Sequence, residues 1–393
     1  MFELILLILK RIDGTFAYYL KTLGGGSLRV LLKRLFRLRK MAKSMALSEL
    51  APPLPVRLQI ETTDICDLKC NMCAREILDD LNTRATSLDE FIKLVDAIEP
   101  YYVTLNGLGE PLTDETIFEK LAYLRQKGIS SSMPTNGTFI DHEKLDKLAM
   151  NLPDILQLSI DGGRRETFEA IRKSGDFCDV IAKFRVLCQR RVEGKSRLGT
   201  TIGIECTLQR QNLFEFREMY VLYSGLPNID SFGLVPMFDF DPEGRAFVDL
   251  LPTIDEVREL CRRLDVAIQT AMTPKERAFY ENWRDVSAKW MEKDGGYEVQ
   301  PEENRHACVV PWYNAYVDVK GRVYPCCFLV ATEHVMGNIF EESFRNIWTG
   351  GIYNEFRDRI NRDRPNLHGC RTCPRNDDSR IRQMKKLRLF IGC

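Results

Sequence analysis

Charge of one sign is what this sequence most lacks. Its 56 Lys and Arg balance 56 Asp and Glu over 393 residues, so the formal net charge is zero. That argues against general nucleic-acid binding and against a membrane-surface role for the whole chain, both of which draw on an excess of positive charge. Histidine is scarce at four residues, and none stands near the first cysteines at 66–73. Long apolar runs are missing too. The opening MFELILLIL is nine residues, against the roughly 20 a bilayer span needs. Lys10 and Arg11 follow that run instead of preceding it, the reverse of a secretory signal. Cysteine, by contrast, is plentiful at thirteen. A disulfide-bonded secreted scaffold would be short and loop-rich, whereas this chain is 44% hydrophobic and long enough for more than one folding unit. The thiols are therefore expected to be reduced, in the cytoplasm, and partly committed to metal.

After residue 55, strand-like and helix-like stretches alternate. Strands are predicted at 56–61 (VRLQIE), 101–106, 128–133, 155–160, 201–208 and 231–236. Amphipathic stretches lie between them. In SLDEFIKLVDAIE, Ser87 and Glu90 form a capping box; in DETIFEKLAYLRQKG, Gly128 supplies a C-cap. Repeats of this kind predict a parallel sheet, either open and doubly wound or curved into a partial barrel. In both, chemistry sits at the C-terminal ends of the strands. Residues 256–300 read as a charged helical connector. From about 301 Gly, Pro, Cys and Asn rise and periodicity weakens, as expected of a segment too poor in apolar residues for a core of its own.

Directly after the first strand comes CDLKCNMC, which sets Cys66, Cys70 and Cys73 in a C-x3-C-x2-C loop. Structural zinc takes four ligands, and no nearby Cys or His supplies a fourth. A [4Fe–4S] cluster held by three thiolates leaves one iron open to a substrate or cosubstrate, and the short loop lets the thiolates wrap one side of the cubane. The pattern resembles the radical S-adenosylmethionine (SAM) enzymes, whose hallmark is this spacing after the first strand of a partial (β/α)6 barrel. The resemblance runs from about 54 to 250 through further motifs. NGLGEP (106–111) implies that the backbone at Gly109 and the carboxylate of Glu110 engage the SAM amino group. PTNGT (134–138) and SIDGG (159–163) imply Asn136, Ser159 and Asp161 around the ribose and carboxylate, with Glu205 on the fifth strand a further candidate. The position before the third cysteine, often aromatic in the family, is Met72, which leaves a backbone contact to the adenine. Each motif alone reads as an ordinary turn; their order, each after a predicted strand, carries the resemblance. It implies that SAM chelates the open iron, is cleaved by one electron to methionine and a 5′-deoxyadenosyl radical, and that this radical abstracts hydrogen from an unactivated carbon. Reduced flavodoxin or ferredoxin is the implied donor.

A second cysteine set closes the chain. Cys308, twelve residues, Gly321, four residues and Cys326 precede Cys370 and Cys373 in HGCRTCP. AYVDVKGRVYPCC reads as a β-hairpin turning at Gly321, which would return Cys326 towards Cys308. Four thiolates suit either a structural zinc ribbon or a cluster. Beside the first motif, the segment resembles the SPASM and Twitch auxiliary-cluster domains. The longer SPASM pattern breaks at Ser379, implying one auxiliary 4Fe–4S cluster on Cys308, Cys326, Cys370 and Cys373, with Cys327 a buried thiol beside it. Cys178, Cys188, Cys206 and Cys261 read as core thiols.

The N-terminal 50 residues carry a surplus of seven positive charges, concentrated in SLRVLLKRLFRLRKMAK (27–43). Leu28, Leu31, Leu32, Leu35, Phe36 and Leu38 form an apolar stripe on a helix whose other face is cationic. Such a helix suits an anionic membrane surface, a partner's groove, or the outside of the barrel with its charges in solvent. The expected organisation is a basic helical extension (1–52), a radical SAM partial TIM-like barrel (53–255), a helical connector (256–300) and a SPASM/Twitch-like domain (301–393). The expected function is a cytoplasmic oxidoreductase, in peripheral contact with the inner membrane face if the basic helix binds it, acting on a peptide or a carbohydrate- or lipid-like small molecule. The alternative is a zinc-stabilised, non-catalytic binding protein on an α/β scaffold.

Overall fold

The computed structural model describes residues 28–79, 81–192, 199–237, 246–291, 308–330, 332–367, 369–370 and 373. The apolar opening, Ser379 and Cys393 lie outside the described residues.

Six strands run parallel and in chain order: β1 (Arg57–Ile60), β2 (Tyr102–Leu105), β3 (Ser130–Thr135), β4 (Ile155–Ser159), β5 (Thr201–Leu208) and β6 (Ser231–Pro236). Each overlaps a predicted strand. Helices return the chain between them: α2 (Leu88–Ile98), α3 (Ile117–Gln126), α4 (His142–Met150), α5 (Arg165–Ile171) and α6 (Phe177–Val192), with α7 (Phe216–Gly225) before β6. A sequential parallel sheet with returning helices is the arrangement of a partial (β/α)6 barrel. The expected capping box is present in α2, where Ser87 Oγ accepts from Glu90 N–H and Glu90 accepts from Ser87 N–H. Strand β1 alternates as its period requires: Leu58 and Ile60 join the hydrophobic core, while Gln59 and Glu61 take buried polar partners. Two further helices, α8 (Ile254–Thr270) and α9 (Pro274–Met291), lie in the expected connector; Phe279 and Trp283 of α9 pack on Phe232 of β6.

The C-terminal segment extends the barrel's sheet. After α10 (Val310–Tyr313), strand β7 (Asn314–Val317) pairs parallel with β1, β8 (Arg322–Tyr324) pairs antiparallel with β7, and β9 (Gly337–Asn338) with β8. The predicted hairpin is β7–β8, and Gly321 takes the left-handed φ of +78° that its turn requires. Trp312, Trp348 of α11 (Phe344–Thr349) and Tyr353 of α12 (Gly351–Arg362) join the same core as the barrel.

The basic helix α1 (Leu28–Leu47) packs on the barrel exterior. Leu38, Met41, Ala42 and Met45, at helical spacing, are buried there, whereas Phe36 of the expected stripe is 60% exposed. Arg37 donates to the carbonyls of Leu54, Pro55, Ile98 and Glu99, so its charge caps the C-terminal end of α2. Among the described residues, no helix is long and apolar enough to cross a membrane.

Candidate active site

The cysteine loop is fixed by contacts that need no metal. Cys66 N–H donates to Asn82 Oδ1 (3.2 Å), and Cys73 N–H to the Cys70 carbonyl (3.1 Å). Lys69–Cys70 pairs antiparallel with Arg172–Lys173 at the end of α5, and Asn71 N–H donates to the Ile171 carbonyl (2.9 Å). Arg75 binds the loop to its surroundings through the carbonyls of Asp64 (2.5 Å) and Leu108 (3.1 Å) and through Asn82 Oδ1 (2.7 Å).

The three thiols line one cavity of about 340 Å³ at the C-terminal ends of β1–β4. Burial pushes Cys66 up to about 11 and Cys70 up to about 12, and raises Cys73 as well. Thiols this desolvated stay protonated unless a cation takes them as thiolates. Among the described residues, no three His, Cys, Asp or Glu side chains stand close enough to grip a single ion. The soft donors are gathered around a cavity, which fits a cluster rather than one zinc.

Gly107–Glu110 forms the next wall. A Cβ at Gly109 would stand 2.2 Å from the Thr63 carbonyl oxygen, so only glycine lets this loop lie against the chain after β1. Glu110 is buried, accepting from Thr135 Oγ1 (2.7 Å), Leu112 N–H (3.2 Å) and Asn136 N–H (2.8 Å). Burial pushes it up to about 7 despite those donors. Asn136 Nδ2 lies 3.8 Å from Cys66 Sγ, and Ser159 and Met72 also line the cavity. Met72 packs on Ile171, Met237 and Phe247.

Two of the predicted contacts sit elsewhere. Asp161 has no exposed surface and does not line the cavity. Its carboxylate accepts from Arg172 Nε (2.7 Å) and Thr207 N–H (2.6 Å), and Arg172 is itself a cavity-lining residue. Glu205 also lies off the cavity wall, and its carboxylate accepts from the Gln157 amide. Arg172 and Tyr316 are cavity residues that sequence reasoning missed, and Cys327, expected as a buried thiol beside the auxiliary site, is half-buried and lines this cavity too. Arg172 carries no motif, and only the Cys70–Arg172 pairing brings it there. Cys178, expected in the core, is exposed, while Cys188, Cys206 and Cys261 are buried.

A second cavity gathers Cys308, Cys326, Cys370 and Cys373, with Cys327 and Arg364. Burial raises Cys326 and Cys370, and the neighbouring cysteines raise both further. Arg364 is 1% exposed. Burial alone would lower its pKa, but the Cys308, Cys373 and Cys370 sulfurs hold it up. Four soft donors beside a buried cation fit an anionic cluster. Cys327 and Phe328 line both cavities.

The chain matches the radical SAM superfamily over residues 60–216 and the SPASM iron–sulfur cluster-binding domain over 308–374. It belongs to the radical SAM superfamily. Among curated relatives, the AdoMet-dependent heme synthase of Methanosarcina barkeri is 26% identical over 76% of this chain and 83% of its own. The mycofactocin maturase of Mycolicibacterium smegmatis is 24% identical over 77% and 73%. Among solved structures, SuiB of Streptococcus suis bound to its precursor peptide SuiA shares the fold with a TM-score of 0.60, at 16% identity over 84% of this chain and 73% of that one. The protein is a radical SAM enzyme with a SPASM domain; the first implies a 4Fe–4S cluster and SAM, the second auxiliary iron–sulfur chemistry. An enzyme of this class needs an external electron donor.

Proposed function

We propose that this radical SAM enzyme oxidises a peptide or other small-molecule substrate. Cys66, Cys70 and Cys73 would hold the SAM-binding 4Fe–4S cluster, and Cys308, Cys326, Cys370 and Cys373 one auxiliary 4Fe–4S cluster. The observation that carries the reading is the convergence of three buried thiols, the Gly109–Glu110 loop, Asn136 and Ser159 on one cavity at the strand ends. When bound, the two cofactors supply a carbon-centred radical and a place for an electron. The chain's own residues orient and insulate. Held by three cysteines, the cluster would keep a position for SAM. Glu110 and the loop backbone would take its amino group, Ser159 and Arg172 its carboxylate, Asn136 its ribose, and the Met72 backbone its adenine. Asp161 holds the Arg172 guanidinium in place, and Glu205 has no direct role. The apolar flank at Met72, Ile171, Met237 and Phe247 keeps water from a reactive centre. Cys327 and Phe328 stand between the two cavities.

Anaerobic incubation with SAM and dithionite tests the reading: 5′-deoxyadenosine should form in the wild type and fall to background in Cys66→Ala. Cys308→Ala should abolish substrate turnover while leaving SAM cleavage partly intact; loss of both would make the second site a folding element. Reduced flavodoxin or ferredoxin should replace dithionite. The maturase relative and the peptide-bound SuiB structure support a peptide substrate, while the heme synthase relative keeps a small molecule in view. A peripheral membrane contact rests on exposed Phe36 and Lys40, with Arg39 and Lys43 nearby. It predicts that Arg39→Glu/Lys40→Glu/Lys43→Glu reduces sedimentation with anionic vesicles, and equal sedimentation would remove it.

A further inference from the structure

A further cavity, of about 290 Å³, lies beside the cysteine-loop cavity, and Leu108 and Val330 line both. Its charges do not balance. Glu61, Asp64, Asp79 and Asp318 line it against two cations, Lys320 and Arg322, and Arg322 Nε is already paired with Asp318 (2.6 Å). Glu61 and Asp64 are buried, yet only uncharged donors hold their carboxylates. Glu61 accepts from the N–H groups of Leu108 and Val319. Asp64 accepts from Thr83 N–H (2.8 Å), Thr83 Oγ1 (2.5 Å) and Arg84 N–H (2.9 Å). Arg75 reaches the Asp64 carbonyl, not its carboxylate. Among the described residues neither carboxylate forms an ion pair. Buried carboxylates of this kind are ordinarily offset by a cation.

Tyr324 of β8 points to a ligand independently. The residue is 1% exposed and lines this cavity. Among the described residues its hydroxyl has no hydrogen-bond partner, and unlike the sealed hydroxyl of neighbouring Tyr316 it keeps surface. Enclosed hydroxyls are nearly always paired. A metal ion does not suit the site, because among the described residues no three His, Cys, Asp or Glu side chains can grip one. An anion would meet the four carboxylates. Leu78, Leu81 and Val335 complete an apolar lining with the shared Leu108 and Val330. Such a wall suits a positive head on an apolar chain, and a primary ammonium brings N–H donors and no acceptor.

We propose, resting on the radical SAM reading above, that this cavity anchors the ammonium group of an amine substrate. Its apolar chain passes Leu108 and Val330 towards the cysteine loop, and the ammonium donates to the Tyr324 hydroxyl oxygen among the carboxylates. The test is anaerobic equilibrium dialysis of the reconstituted, SAM-loaded full chain against labelled isoamylamine, with isoamyl alcohol as the uncharged arm and isovalerate as the anionic one. The expected result is retention of the amine over both. Its affinity should fall about fivefold in Tyr324→Phe, the size of one lost hydrogen bond. It should fall about threefold in Asp79→Asn, where the charge is exposed; this second variant decides the matter if the first fails to fold. Tighter retention of Nα-acetyllysine N-methylamide than of isoamylamine would identify the amine as a lysine side chain, and the reverse as a free amine. Formation of 5′-deoxyadenosine from SAM by the wild type tests the enzyme reading separately. A wild type that cleaves SAM but holds the amine no better than the alcohol or the acid overturns the assignment alone, as does undiminished amine binding in the folded variants.

Discussion

Glu61 joins two parts of the active site through one carboxylate. Oε1 accepts from Leu108 N–H (2.6 Å) in the glycine-rich loop and Oε2 from Val319 N–H (3.1 Å) in the C-terminal hairpin. Burial pushes its pKa from 4.5 up to about 7. A carboxyl raised in the folded state stabilises fully below its unfolded pKa, and that stability is lost as pH rises through the folded value. Between pH 4.5 and 7, anaerobic denaturant melts should therefore show the wild type losing on the order of 1–3 kcal/mol relative to Glu61→Gln. The slope of that difference is the readout, because the substitution also costs one N–H acceptor at every pH. Parallel curves would rule the effect out. Arg364 gives a second prediction. A buried cation beside the second cysteine set favours the more negative, reduced cluster. Arg364→Gln should shift the auxiliary midpoint potential to more negative values in an EPR-monitored titration; an unmoved potential would make Arg364 only a packing residue.

At the scale of the element, the sequence placed the six parallel strands well, because most are short runs rich in apolar residues between turn residues and returning helices, while β3 (SSSMPT) is placed by its position between two helices. It placed the motifs equally well, since a parallel sheet puts the loop after every strand at one end. Helix α1 was harder. Its composition fits a membrane, a groove or a barrel surface, and the apolar stripe read towards its N-terminal half. Among the described side chains, Leu38, Met41, Ala42 and Met45 are buried and Phe36 is exposed, while Leu28, Leu31, Leu32 and Leu35 of that stripe lie outside the described side chains. The decision rests with carbonyls far away in sequence, at Ile98 and Glu99, which Arg37 caps. Arg37→Ala should cost on the order of 2 kcal/mol in chemical denaturation and expose α1 to earlier tryptic cleavage, with the barrel fragment persisting. Unchanged cleavage would place the helix's anchorage in its apolar face alone.

On the scale of the whole molecule, the two ends of the described chain grip each other. Trp312 Nε1 donates to the Glu49 carbonyl (2.7 Å), and Trp348 Nε1 to the carbonyls of Pro52 (3.3 Å) and Pro53 (3.1 Å). Arg357, buried against the Trp348 and Tyr353 rings, reaches the Leu50 carbonyl (3.2 Å). With β7 added to the barrel sheet, one hydrophobic core runs from the barrel into the C-terminal segment, with Cys308, Cys326 and Cys370 in or against it. Anaerobic thermal unfolding should therefore be a single transition, with far-ultraviolet circular dichroism and cluster absorbance superimposed. Two separated transitions would show that the C-terminal segment unfolds independently. Trp348→Ala should lower that single transition for both probes together, at a cost of about 3–5 kcal/mol.

The sequence by itself determined the parallel α/β order, the three-cysteine loop and the hairpin that returns Cys326, because strand period, turn residues and ligand spacing are local properties. Tertiary structure alone decided that the Asp161 carboxylate would pair with Arg172, that the C-terminal strands would join the barrel's sheet, and that Arg172 and Tyr316 would line the same cavity as the cysteine loop. Those outcomes depend on which strand edges and buried charges meet across tens to hundreds of residues, and pairing at that range leaves no periodic trace in the chain.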